Sequence, residues 1–579
     1  MHRRKLLTIL AGALVAFVFA GLGLADALSG SVEHVPNIAG QPNTNSKSPQ
    51  VARPNILSRG LQEVEWARGS FETENSVTPP GSTFAIEYFG YDSDVRNAEG
   101  EPAMLPLVAG AGSPNLSEAT KTEPDKNVYL RLGGQRGADP DYDYGSHFVF
   151  QGHENGPSYL TRVNLDADGR HRVTLLTASM NETKGAAQPL PNRFDGITWD
   201  PFAQRLLGTF EDGANGGVVQ FTAQFPSQAE DLFESMGRAA YEGVQNDLRG
   251  NVYLDEDASG PSTGARRAPN SYVYRFVPVN ARDLTRGKLQ ALQVLNENSE
   301  PIDFEKQLAP GNPDQNLMRT YGVTLRTRWI TIHDTESTVT PPSPPSSPWP
   351  NANALAKAFH ATPFKRPENG VFRPNSNFRE YYFDETGDTN ALSTDDNPPA
   401  TEETAPGVPA GTVFPTVTGS GGWGSIFKLI QSPSSVNGRI SLFYSGDIEH
   451  AGFDNVQFLT EDKLIAVEDA GDTLHTQRKK LDSGYILDVG VDYSSGAQPV
   501  RWLAEGRDPS ATLDSQFVGT AGFRNDGDNE ITGPHVSDGD PSSGGILGMK
   551  TPTPFQNGWR WFWTQQHGDN VFYEVIPSP

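Results

Sequence analysis

From about residue 66 onward the chain is a succession of short apolar runs, each bounded by Gly, Asn, Asp or Pro. The clearest are SHFVFQG, HRVTLL, GVVQFTA, GNVYL, SYVYRFVP, VFRP, REYYF, GSIFKLI, GRISLFYS, KLIAVEDAG, GYILDVG, GWRWFWTQ and VFYEVI. They are rich in Val, Ile, Phe and Tyr, which suit a pleated, half-buried surface, so each reads as a β-strand. Helical periodicity is confined to three stretches: Gln228–Asn246, about 281–295, and Asn353–Phe359. Many short strands with no helical half predict an all-β fold, either a large β-propeller or a large sandwich. No clean repeat is visible. A blade takes about 40–45 residues, so six blades need roughly 260, and insertions would fill the rest and blur the period.

The ends of the chain read differently. Residues 1–27 carry Arg3, Arg4 and Lys5, then an apolar run from Leu6 to about Leu24, then Ala25 and Ala27 in a small-residue arrangement. That is the pattern of a secretory signal peptide, with an uncleaved membrane anchor as the alternative. The Arg pair also hints at twin-arginine export. The chain is therefore expected to be secreted or periplasmic, with no membrane anchor after cleavage. Residues 28–65 are polar, lack periodicity and read as a poorly ordered leader. Residues 66–579 are expected to form a single domain with Pro-rich insertions at about 338–352 and 384–413.

Composition narrows the chemistry. Of 579 residues, 46 are Lys or Arg and 71 are Asp or Glu, giving a net charge of −25. Such a chain will not condense on nucleic acid or an anionic membrane without a local basic patch. The absence of cysteine excludes disulfides, thiolate metal sites and a cysteine nucleophile. The 59 Gly and 45 Pro favour many turns joining short strands.

The acidic residues are not scattered at random. Carboxylates recur at the ends of predicted strands: Glu154, Glu211-Asp212, Glu242, Asp255-Glu256-Asp257, Glu368 and Glu468-Asp469, with Glu530 and Asp538 near the C-terminus. A carboxylate just after a propeller strand points towards one mouth of the central channel. Several converging there repel one another unless cations neutralise them, and hard oxygen donors suit Ca²⁺, Mg²⁺ or ferric iron. The plainer alternative is a set of solvated turn residues. Asp166 and Asp168 in NLDADGR belong to that class, because Leu175 stands where an EF-hand loop would need its closing Glu.

Seven segments, in order, resemble the PhoX-type alkaline phosphatases, a secreted bacterial β-propeller family. They are GHENG, FDGITWDPFAQRLLGTFEDG, AAYEGVQNDLRGNVYLDEDASG with SYVYRFVP, FKRPENGVF, FDNVQFLTEDKLIAVEDAG, EITGPHVSDG and TQQHGDNVFYEV. The resemblance implies a propeller, of six blades, whose channel holds calcium and iron and which hydrolyses small phosphate monoesters, with diesters as further candidates; the chain is expected to be a monomer. Carried over by motif, it implies iron ligands at Glu242 and Glu368 and metal ligands on a later blade at Glu468 and Asp469. Glu154, Glu211 and Asp212 would bind calcium or stand behind it. Arg366 would hold the substrate phosphate, and Arg366 and Glu368 would be the catalytic pair.

The sequence departs from the family at one point that matters. The family has a cysteine iron ligand just before the segment matching FDGITWDP, where this chain has Arg193, Phe194 and Asp195. Asp195 is the hard-donor candidate for that place. Three outcomes stay open: no iron, an all-oxygen cluster, or lost chemistry. Tyr241 also stands where a His is common, and Gly152 replaces an Asn.

Other residues read blandly. His153 and His567 are expected to bond locally, and Trp559, Trp561, Phe562 and Trp563 to pack inside a blade. No Ser elbow or phosphate-cradling Gly loop is present, which favours direct attack by activated water over a covalent route. The expected function is therefore an exported metal-dependent phosphatase. The alternatives are a non-catalytic, calcium-stabilised propeller acting as a surface or binding protein, or a calcium-only hydrolase of a lactone or phytate.

Overall fold

The structure is a computed structural model that describes residues 38–41, 54–91, 122–181, 187–263, 266–303, 313–337, 348–388, 421–478, 480–506, 530–545, 548–566 and 569–579. The signal segment 1–27, most of the leader, and most of both Pro-rich insertions lie outside the described residues, as does His567.

Six blades of mainly antiparallel strands stand side by side as a propeller. Their innermost strands, in chain order, are Pro124–Arg131, Phe194–Asp200, Tyr241–Asn246, Gly370–Phe372, Phe453–Phe458 and Glu530–Ser537. Each packs against the next, and the sixth packs against the first, so the ring closes around a channel. Blades 3 and 4 are fused at their outer edges through Leu325–Asp334, which pairs with Asp283–Leu295 on one side and Asn437–Ser445 on the other. The apolar cores lie between and within the blades. Phe194, Phe210 and Phe221 stack in blade 2, and Trp502 meets Trp561 between blades 5 and 6 with ring centroids 4.4 Å apart. Trp561, Phe562 and Trp563 are fully buried, as the sequence led us to expect.

All thirteen apolar runs lie in strands. Two of the three expected helices do not form. Gln228–Asn246 divides into an outer strand Ala229–Asp231, a single helical turn Phe233–Met236, and the innermost strand of blade 3. Gly237, at φ 71°, ends that turn. Residues 281–295 form the long strand Asp283–Leu295, whose ladders on both flanks outweigh the helix-favouring Leu, Lys, Gln and Ala of its sequence. The third helix is present as Ala352–Ala358, capped by the Asn351 side chain.

The leader reading also needs correction, because strands begin at Ile56, nine residues before its expected end. Ile56–Leu57 adds to blade 5 beside Val500–Ala504. Leu61–Ala67 pairs with the C-terminal strand Val571–Pro577 as the outermost strand of blade 6. No helix among the described residues is long and apolar enough to cross a membrane.

Candidate metal centre

One local device recurs at the same end of the innermost strands. The strand opens with a residue buried in the blade, and an acid follows: Pro124-Asp125, Phe194-Asp195, Tyr241-Glu242 and Phe453-Asp454. In all four blades the ladder to the next strand shifts register at that acid, which is the mark of a β-bulge. A bulge re-aims a side chain, and here it turns the carboxylate into the channel. In blades 2 and 3 the residue after the acid is glycine, because the neighbouring blade comes against it. A Cβ on Gly196 would lie 2.0 Å from the Glu242 carbonyl oxygen, and one on Gly243 would lie 2.6 Å from that of Glu368. Blade 4 supplies Glu368 just ahead of its innermost strand, and blade 6 supplies Glu530 as the first residue of its own.

The second strand of each blade returns to the same mouth, and there two adjacent positions part company. The strand-ending residue turns into the blade. Glu256 accepts from Tyr272 N, Tyr274 Oη and Asn353 Nδ2 at 2.8–3.1 Å. Glu385 is held by the Arg319 guanidinium and the Lys365 backbone N–H. Glu468 accepts from Ala451 N, Ser483 N and Arg478 Nη2 at 2.8–3.0 Å. The next residue turns to the channel: Glu154, Glu211, Asp257 and Asp469 all act electrostatically on the acids there.

The carboxylates converge into two groups whose ligand atoms lie within 4.8 Å of one another: Asp125, Glu154 and Asp195, and Glu242, Glu368 and Asp454. Of the residues singled out from sequence, Glu154, Asp195, Glu242 and Glu368 are in these groups, and Glu211 and Asp469 face them. Glu468 is not a ligand candidate, because both its oxygens are taken by backbone donors and a buried arginine. Asp212 lies one residue beyond Glu211 at the rim, accepts from Asn192 Nδ2 at 3.2 Å, and joins neither group. Asp125 and Asp454 were missed. Their only signal is the apolar-then-acid pair shared with FDG and YEG, recurring at unequal spacings.

Burial and mutual repulsion dominate the electrostatics. Burial first, then the neighbouring carboxylates, pushes Asp195, Glu154, Glu242, Asp454 and Glu530 well above the usual carboxylate range. Glu211 and Glu368 are each pushed up to about 8, by burial and then by Asp257. Asp125 is pushed up to about 6, again chiefly by burial. Acids packed this way resist sharing charge unless cations sit among them. Asp195 Oδ1 is buried without a hydrogen-bond partner, an oxygen ligand fit for a hard cation. The oxygen-only donor set suits calcium and, equally, hard ferric iron without sulfur.

Arg366 stands at the mouth with a left-handed backbone, φ 57°. Its Nε and Nη2 fork onto the Asp257 carboxylate at 2.8–3.0 Å, and Nη2 lies 3.4 Å from Glu368. Its Nη1 edge makes none of these bonds. His153, by contrast, is buried against Tyr159 and bonded to Thr122 and Thr161, away from any ligand role. Phe194 fills the space that Gly152 leaves open, since a Cβ there would lie 2.4 Å from its ring.

Comparison with known proteins gives the same fold. The structure of Pseudomonas fluorescens PhoX in complex with vanadate, a transition state analogue, superposes with a TM-score of 0.51. It is 11% identical, and the alignment covers 93% of this chain and 98% of that one. A Trichoderma reesei enzyme of carbohydrate-active family AA12 aligns at a TM-score of 0.25 and 9% identity, covering 93% of this chain and all of that one, which is too low to carry an argument. No family model and no curated protein matches the sequence. The likeness therefore establishes the propeller, and the chemistry rests on the carboxylates.

Proposed function

We propose that the channel mouth is the active site of a metal-dependent phosphatase acting on small phosphate monoesters. The observation that carries this reading is the adjacency of two three-carboxylate groups with Arg366 beside them, on the fold of a vanadate-binding phosphatase. Bound hard cations, calcium or ferric iron, would supply charge neutralisation and Lewis-acid polarisation of a phosphoryl oxygen. Asp125, Glu154 and Asp195 would hold one centre, and Glu242, Glu368 and Asp454 the other. Arg366 is oriented by Asp257 so that its Nη1 edge can receive a phosphate oxygen and stabilise the charge that develops during transfer. The N-terminal pattern supports export, and a phosphate-scavenging role outside the cytoplasm fits it.

One observation favours a second reading, a non-catalytic cation-stabilised propeller: the better edge of Arg366 is already engaged by Asp257. Assay of p-nitrophenyl phosphate at alkaline pH, with metal content measured and with chelator as control, separates the two. Chelator-sensitive turnover is expected. Bound calcium without turnover would leave only the second reading.

A further inference from the structure

Lys126 reaches from the innermost strand of blade 1 and donates to Asn369 Oδ1, just ahead of the innermost strand of blade 4. These blades stand opposite one another in the ring, so the side chain spans the channel. Lys126 is 6% exposed. Below it the channel continues as a cavity of about 60 Å³, lined by Lys126, Thr198, Gln245, Gln457 and His535 among others. The lysine thus marks the boundary between the acidic chamber and the space beneath.

Asn369 ties this floor to the second carboxylate group. Its amide donates to Glu242 Oε1 and to the Asp454 carbonyl, each at 3.4 Å, and its backbone N–H donates to Asp384 Oδ1 at 2.8 Å. Burial pushes the Lys126 ammonium below its ordinary range, and four carboxylates oppose that by favouring its charged form: Asp384, Asp255, Asp454 and Asp195, from blades 4, 3, 5 and 2. Asp255 and Asp384 are fully buried and belong to neither three-carboxylate group. Each keeps one oxygen, Asp255 Oδ1 and Asp384 Oδ2, buried without a hydrogen-bond partner. Burial pushes Asp255 up to about 7 and Asp384 well above the usual carboxylate range, so as anions they are costly unless a cation faces them.

We propose that Lys126 is a fixed internal cation of the chamber, whose ammonium serves the Asp255 and Asp384 carboxylates in place of an exchangeable ion. Exchangeable cations are then confined to the two groups above, and the lysine weakens their binding by like-charge repulsion across a few ångströms of low-dielectric interior. The inference rests on the chamber binding cations, not on its hydrolysing phosphate.

Calorimetric calcium titration of the chelator-stripped full chain tests it. Lys126→Met is expected to tighten calcium binding by about tenfold or more, or to admit one further ion, because a repelling charge has gone. Unchanged or weaker binding at unchanged stoichiometry would show a neutral hydrogen-bonding strut and overturn the proposal. Should that variant not fold, Lys126→Met with Asp384→Asn removes one charge of each sign. This double variant is expected to fold and to bind calcium as the parent does, and its failure to fold overturns the proposal. A parent chain with no calcium affinity overturns both this inference and the metal reading, whereas a calcium-binding parent without turnover overturns the phosphatase reading alone.

Discussion

Gly243 and Glu368 belong to different blades, yet a Cβ on Gly243 would sit 2.6 Å from the Glu368 carbonyl oxygen and 2.9 Å from Asp255 Oδ2. The glycine sets how closely blades 3 and 4 approach, and thereby how closely Glu242 and Glu368 meet. Gly243→Ala is expected to lower stability by about 1–3 kcal/mol through forced backbone displacement. It should also weaken calcium binding, read by thermal unfolding and calorimetry on the same sample. An alanine variant with parental values for both would contradict the role given to this approach.

Glu468 and Asp469 are adjacent but face opposite ways. Glu468→Gln leaves the buried Arg478 guanidinium short of its partner and should cost about 3–5 kcal/mol, with the bound-calcium count per folded chain unchanged. Asp469→Asn should do the reverse, sparing the unfolding midpoint without calcium and weakening calcium binding. Swapped outcomes would mean that the inward and channel-facing positions have been assigned the wrong way round.

The raised carboxyls make a prediction about pH. A carboxyl whose pKa is higher in the folded protein binds its proton more tightly there, so its contribution is fully present below its ordinary value near 4 and is lost as pH rises through the folded value. With Asp125 at about 6 and Glu211 and Glu368 at about 8, the chelated protein should lose stability steadily from about pH 4 to about pH 8. Calcium should flatten that slope. Differential scanning fluorimetry across pH, with and without calcium, measures both, and parallel curves would rule out cation binding at these acids.

Arg366 presents a planar fork, which a lysine cannot reproduce. Arg366→Lys should therefore lower kcat/KM for p-nitrophenyl phosphate on the order of 10²-fold while calcium still binds. Retained turnover in that variant would remove Arg366 from the reaction.

The outer strands were legible in the sequence and the innermost ones mostly were not, for a physical reason. Middle strands such as Tyr159–Asn164, Arg205–Phe210 and Lys463–Glu468 bury both faces and so read as apolar runs, while outer strands such as Asn437–Ser445 alternate buried with more open positions. The strands that line the channel, such as YEGVQN, FDNVQF and EITGPHVS, alternate acids, amides and glycines with the apolar residues that anchor them. That mixture hides a strand and is also what builds the site. The acid of FDG was found through a family likeness and that of YEG as a strand-end carboxylate, whereas Asp125 in PDKNVYLR carried neither cue. The Glu-Asp pairs were visible as pairs. Which member faces the channel depends on the ladder register, Phe453 opposite Glu468 and Tyr241 opposite Glu256, and register is not written in a single run.

Leu61 pairs with Pro577, so the sixth blade is completed by residues from both ends of the chain. All six blades place an acid at the mouth, including Glu530 from the last. On the ribosome, then, the first five blades can form in order of synthesis, but the acidic chamber cannot close until the final strand has been made and has found a partner synthesised some five hundred residues earlier. Any ion loading that needs the closed ring, rather than the two three-carboxylate groups of the first five blades alone, would follow that pairing.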